Sequence, residues 1–192
     1  MPLNDREIKE LCDQGLVVPY HSKYVNPSSL DIRIGKRIKL MRKRFLYYPV
    51  RLLAAIFKIQ IFLTLLEEQV YWEFLSISLT SKDDPFYLLP EDKILAESLE
   101  TFNFPVNISG QFVLKSSRGR EFYEHLMAGY CDPGWNSSVL TLEIENRSLK
   151  PLPIYYGFPI GQIIFERMIP PEQDYSKTGR YNNDPQVQES RG

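Results

Sequence analysis

Beyond residue 81 the sequence is a succession of short apolar runs separated by turn-forming residues, and this spacing limits the fold more than any other feature. Runs at 86–89, 93–99, 110–114, 139–144, 154–156 and 162–167 are too short for helices and regular enough for strands. Such a series predicts a sandwich or barrel. Upstream, Ser29-Leu30-Asp31-Ile32-Arg33-Ile34-Gly35 alternates with period two. It reads as a half-buried strand with Asp31 and Arg33 on one face, ended by Gly35. Asp5 is placed to cap a short helix from Arg6 to about Gln14, with Ile8 and Leu11 inward and Gly15 as its stop.

The length of 192 residues, 43% of them hydrophobic, suits one domain over residues 1–192 with one sizeable core. Lysine and arginine total 23 against 24 acids, so no overall field draws the chain to nucleic acid, and a polyanion it binds should be small. Cys12 and Cys131 match no zinc-ligand spacing and suit a reducing cytoplasm. The first residues show no signal-peptide pattern, and the expected location is cytoplasmic. Residues 45–66 are long and apolar, but Pro49, Arg51 and Lys58 interrupt them. A buried or oligomer-contacting segment, read as helical, is therefore expected rather than a membrane span.

Two places carry chemistry. Lys115-Ser116-Ser117-Arg118-Gly119-Arg120 supplies cations and hydroxyls within six residues, a composition suited to phosphate oxygens but also to a solvated loop. Glu143 lies between Leu142 and Ile144 in a strand, where it is either a proton-carrying carboxylate or an ordinary outward glutamate, as Glu145 would be. The polar tail at 170–192 lacks an apolar period, so it is expected to be disordered or to be a lid ordered by ligand or a neighbouring subunit. The His-x-Glu and Pro-Cys-x-x-Cys elements of zinc base deaminases are absent from the sequence.

Several blocks, in order, resemble the dCTP deaminase family of the dCTP deaminase and dUTPase superfamily. They are Asp5-Arg6-Glu7-Ile8, the strand from Ser29 to Gly35, Phe86-Tyr87-Leu88-Leu89-Pro90, the run from Lys115 to Arg120, Ala128-Gly129-Tyr130-Cys131-Asp132-Pro133-Gly134-Trp135, Leu142-Glu143-Ile144-Glu145-Asn146, Pro159-Ile160-Gly161-Gln162-Ile163-Ile164-Phe165 and Gly179-Arg180-Tyr181. The likeness spans about residues 1–36 and 83–192 and leaves an unmatched insert at about 37–82. It implies a mainly β, distorted barrel or jelly-roll fold of the dUTPase-like type, with a short N-terminal helix, and a homotrimer with sites between subunits. It also implies zinc-free deamination of dCTP to dUTP and ammonia, with magnesium carried by the triphosphate and no metal site in the protein. By the same resemblance Glu143 is the proton shuttle, the Ala128 carbonyl orients water, and Lys115, Ser116, Ser117 and Arg120 hold phosphates. Asp132 and Trp135 line the base and sugar pocket, and Tyr175, Arg180 and Tyr181 belong to a lid at about 170–192.

The match has departures. Lys115 replaces a usual arginine, Arg180 a lysine and Tyr130 an arginine, while Asp184 falls near an expected glutamine. The turn Trp135-Asn136-Ser137-Ser138 is one residue longer than expected. Two other readings therefore stand beside deamination: a dUTPase, alone or bifunctional with release of pyrophosphate, and a non-catalytic nucleotide sensor or interaction protein.

Overall fold

The computed structural model describes residues 1–43, 72–126 and 128–192. Helix α1 (Asp5–Asp13) opens the chain. Its cap is Asn4 rather than the expected Asp5: the Asn4 side chain accepts from the backbone N–H groups of Arg6 and Glu7, and the Glu7 carboxylate accepts from the Asn4 N–H. This reciprocal box satisfies donors that a helix start leaves unpaired. Ile8 and Cys12 face inward, and Gly15, at φ +95°, turns the chain into the core.

Then follow β1 (Val17–Val18), β2 (Val25–Asn26), β3 (Ser29–Lys43), β4 (Trp72–Ser78), β5 (Phe86–Leu88), β6 (Lys93–Asn103), β7 (Ile108–Leu114), the one-turn helix α2 (Ser116–Arg120), β8 (Tyr123–His125), β9 (Tyr130–Cys131), β10 (Asn136–Asn146), β11 (Leu152–Ile154), β12 (Pro159–Arg167) and helix α3 (Tyr175–Thr178). Each of the six runs read as strand after residue 81 contributes to a strand. Among the described residues a curled sheet runs β8-β10-β6-β3-β12-β7-β9, with β1 added to β6 and β2 and β4 added to β3, while β5 and β11 pair separately.

Strand β3 passes through Gly35 instead of ending there. Its first half pairs with β12 and its second with β6 and β4, with a register shift between Ile34 and Ile38. Glycine is what the bulge needs: a Cβ at position 35 would lie 2.5 Å from Glu97 Cγ and 2.8 Å from the Ser98 carbonyl oxygen. The described parts of the insert read at 37–82 are thus largely sheet, as the β3–β4 ladder from Arg37↔Ser78 to Lys43↔Trp72. The apolar stretch 45–66, read as helical, lies outside the described residues. Among the described residues no helix is long and apolar enough to cross a membrane.

The core fills the concave side of the sheet. Phe102 stacks on Trp135 at 5.7 Å, and Phe104 packs against Phe165 at 5.8 Å. Leu142 and Ile144 are buried, so the strand's period of two turns Glu143 to the opposite face. Each such buried side chain contributes about 1.5–3 kcal/mol.

The tail packs against its own chain rather than standing free of it. Polar anchors do this rather than an apolar face. Tyr175 N–H donates to the Pro133 carbonyl, Val139 N–H to Asp184 O and Trp135 Nε1 to Tyr181 O, and Val187 is 4% exposed.

Candidate active site

The outward face of β10 and β6 is roofed by the tail, and a cavity of about 540 Å³ lies between them. Strand β10 pairs with β6 through Glu143↔Leu95, and both residues line the cavity. The ladder is irregular at the start of β10, with register shifts between Asn136 and Ser138 and between Val139 and Thr141 and with Ser137 at φ +51°, and Glu143 lies beyond them in regular pairing.

Glu143 Oε2 lies 3.4 Å from Nε2 of His125, a buried histidine whose ring packs on Phe112 at 4.7 Å. Neither atom has a hydrogen-bond partner among the described residues, nor does Oδ2 of Asp184, although Asp184 Oδ1 accepts from Arg191 Nη2 at 2.6 Å. Buried oxygens without partners are costly, so two carboxylates here are left ready for donors that a ligand would bring. The cavity is also lined by Ala128, Asp132 and Trp135 from the segment around β9, and by Tyr175 and Tyr181 from the tail. Partial burial pushes the Asp132 carboxyl above the ordinary range.

Backbone geometry holds these pieces together. Gly134 takes φ +86°, and a Cβ there would strike Asp174 Oδ1 at 2.7 Å, so a side chain at this turn would push the tail away. Ser138 Oγ shares its one proton between the carbonyls of Asn136 and Tyr181 and accepts from the Asp184 N–H, tying the tail to the start of β10.

The structure therefore gathers Glu143, Ala128, Asp132, Trp135, Tyr175 and Tyr181 in one place. It does not bring Lys115, Ser116, Ser117, Arg120 or Arg180 to the same wall. Among the described residues no lysine or arginine lines the cavity, whereas Asp132, Glu143, Asp184 and Glu189 do. The cationic turn is built separately: Lys115 is paired with Asp31, Arg118 Nε donates to the Pro159 carbonyl at 3.1 Å with its guanidinium 4.4 Å from the Phe158 ring centre, and Ser116, Ser117 and Arg120 are exposed. Arg118 thus anchors the turn, leaving the other three free to face a ligand.

Sequence reasoning missed Phe74 of β4, which reaches the cavity from within the insert, and Gln188, Glu189 and Ser190 of the tail. It also left out Glu97, a 4% exposed glutamate that no local pattern separates from the other polar residues of β6, among them the likewise buried Glu100. Among the described residues no three histidine, cysteine or acidic side chains converge as a metal-binding group.

A family model described as dCTP deaminase-like matches residues 2–168. A protein of Nanoarchaeum equitans named dCTP deaminase, dUMP-forming, is 33% identical over 184 residues, covering 93% of this chain and 90% of its own. One of the same name from Thermobifida fusca is 33% identical over 179 residues, covering 91% of this chain and 83% of its own. Among solved structures, the 2'-deoxycytidine 5'-triphosphate deaminase of Agrobacterium tumefaciens matches at a TM-score of 0.62 and 19% identity, over 86% of this chain. This chain spans 47% of that one, and the likeness is one of fold: mainly β, with a curled sheet and a short N-terminal helix.

Proposed function

Because this chain belongs to the dCTP deaminase-like family, we propose that it removes the exocyclic amine of dCTP by hydrolysis, with Glu143 moving the protons. The observation that carries the proposal is Glu143 itself. It stands on a cavity wall, one carboxylate oxygen has no hydrogen-bond partner among the described residues, and His125 lies 3.4 Å away.

In this reading the Ala128 carbonyl and Glu143 hold a water against C4 of the ring. Glu143 takes one proton from the water as its oxygen bonds to C4 and gives it to N3, then takes the second from the new C4 hydroxyl and gives it to the leaving nitrogen as the C4–N bond breaks and ammonia departs. One carboxylate serves as base and then acid. Asp132 and Trp135 would border the sugar and base, with Tyr175 and Tyr181 closing above them.

The cavity walls are acidic, so the triphosphate has to be met elsewhere. Lys115, Ser116, Ser117 and Arg120 suit it in charge and donor type. Since they stand apart from the cavity of their own chain, we infer that a neighbouring copy presents them, in a homotrimer with sites between subunits. Arg180, exposed on the tail, would add a charge at the rim. Magnesium would arrive on the phosphates, since the donor set here builds no cage of its own.

The dUMP-forming relatives favour a second step, in which water attacks phosphorus and pyrophosphate leaves dUMP. The test is to incubate purified protein with magnesium and dCTP or dUTP and to follow ammonia, dUTP, dUMP and pyrophosphate. Ammonia and pyrophosphate from dCTP would support both steps, and ammonia alone would restrict the enzyme to deamination. Pyrophosphate from dUTP alone would make it a dUTPase, and binding without turnover would leave a sensor.

A further inference from the structure

We propose that Arg37 and Glu97 are positioning residues that hold the tail as a preformed wall of the cavity. The Glu97 carboxylate, its side chain 6% exposed, joins three segments. Its Oε1 accepts from the backbone N–H groups of Lys36 at 3.2 Å and Arg37 at 3.1 Å, which the bulge in β3 turns towards it. Its Oε2 accepts from Arg37 Nε at 2.8 Å and from the Val187 N–H at 3.3 Å.

Arg37 continues from this carboxylate to the tail, donating through Nη2 to the Pro185 carbonyl at 3.0 Å and through Nη1 to Gln186 Oε1 at 3.2 Å. Three consecutive tail residues, 185–187, are thereby fixed from one point. The residues on either side, Asp184 and Gln188 to Ser190, line the cavity. Lys39, two residues along β3, pairs with Glu189 at 2.7 Å and gives the same segment a second hold.

Elsewhere the tail is held by polar contacts to β10 and the segment around β9, and Val187 is its one fully buried apolar side chain among the described residues. A guanidinium that donates to a carboxylate through Nε and to two tail oxygens through Nη1 and Nη2 makes charge-assisted bonds, which are stronger than neutral ones. Ordering the wall beforehand removes that cost from ligand binding, because apparent affinity scales with the fraction of molecules already in the competent form.

The kinetic part of the test rests on the reading that the cavity takes dCTP; the structural part does not. Arg37→Met suits it because the Arg37 side chain is 49% exposed and can be shortened without opening the core. Hydrogen exchange at the amides of Val187 and Gln188 is predicted to speed up by about a hundredfold or more, and KM for dCTP to rise by about tenfold with kcat changed by less than about twofold. Arg37→Lys keeps the charge but not the fork and should recover only part of both effects. Lys39→Met, a second variant at another anchor, should move both readouts in the same direction by less. Unchanged exchange, faster exchange with KM unmoved, or a fall in kcat alone would each overturn the proposal. If the wild type turned over no dCTP, the functional reading would fall by itself, and the exchange rates would still decide whether the clamp holds the tail.

Discussion

The cavity around Glu143 and the turn from Lys115 to Arg120 are built on opposite principles. The first is assembled from β6, β10, the segment around β9 and the tail, is half roofed, and is lined by aromatic rings and four carboxylates. The second is a single exposed helical turn in which Arg120 faces solvent, Lys115 is shared with Asp31, and Arg118 is held by the Pro159 carbonyl and Glu121. Under the proposed function a nucleoside is met by the first and a triphosphate by the second, and the difference teaches that this function needs the two regions joined as half-sites.

The largest effect should come from removing chemistry without removing binding. Glu143→Gln is predicted to lower ammonia release from dCTP by about 10²–10⁴-fold while dCTP still binds, measured by single-turnover kinetics beside equilibrium binding. Comparable activity in the variant would detach the cavity from catalysis. The second region should show the converse. Arg120→Ala is predicted to cost ~1.5–3 kcal/mol of triphosphate affinity, seen as a raised KM for dCTP, with deoxycytidine binding unaffected. Equal weakening of both ligands would mean that the turn contributes structure rather than phosphate contacts.

Much of the cavity could be read from the sequence because it depends on local pattern. The alternation of Leu142, Glu143 and Ile144 told which side chain leaves the core, and short runs with turns between them announced the strands. Other parts depend on contacts between residues far apart. Gly35 looked like a strand end because nothing near it in sequence reveals Glu97, sixty-two positions later, filling the space that a Cβ would need. The tail looked unfolded because its anchors are single polar atoms on β3, β6 and β10 rather than an apolar stripe of its own. The separation of the turn from the cavity could not be read either, since the motifs lie close along the chain while the sheet carries them apart.

Smaller changes sharpen the same contrast. Gly35→Ala should destabilise the protein by ~1–3 kcal/mol in urea unfolding, because the new methyl meets Glu97 and the Ser98 backbone at the bulge supporting the tail. Asp132 should have the smallest effect, and on stability it has a sign. Burial raises its carboxyl pKa, so its contribution favours the folded state below the ordinary carboxylate range and is lost as pH rises through the raised value. Asp132→Asn should therefore be slightly more stable than wild type at pH 7 and lose that advantage when the pH falls below both values. Unfolding curves at the two pH values would show it, and a constant difference would assign the effect to shape rather than charge.

The most direct test of two half-sites joined between copies is to mix the two defects. Glu143→Gln, defective in chemistry, and Arg120→Ala, defective in triphosphate affinity, would be co-expressed with different tags, purified as mixed oligomers and assayed at dCTP well below the raised KM of the Arg120 variant. If the cavity of one copy is served by the turn of another, about a quarter of the sites in a random mixture regain both intact halves, and dCTP deamination returns to about a quarter of wild type. Mixed oligomers that form but stay as inactive as their parents would contradict this account and place both halves of the site in a single chain.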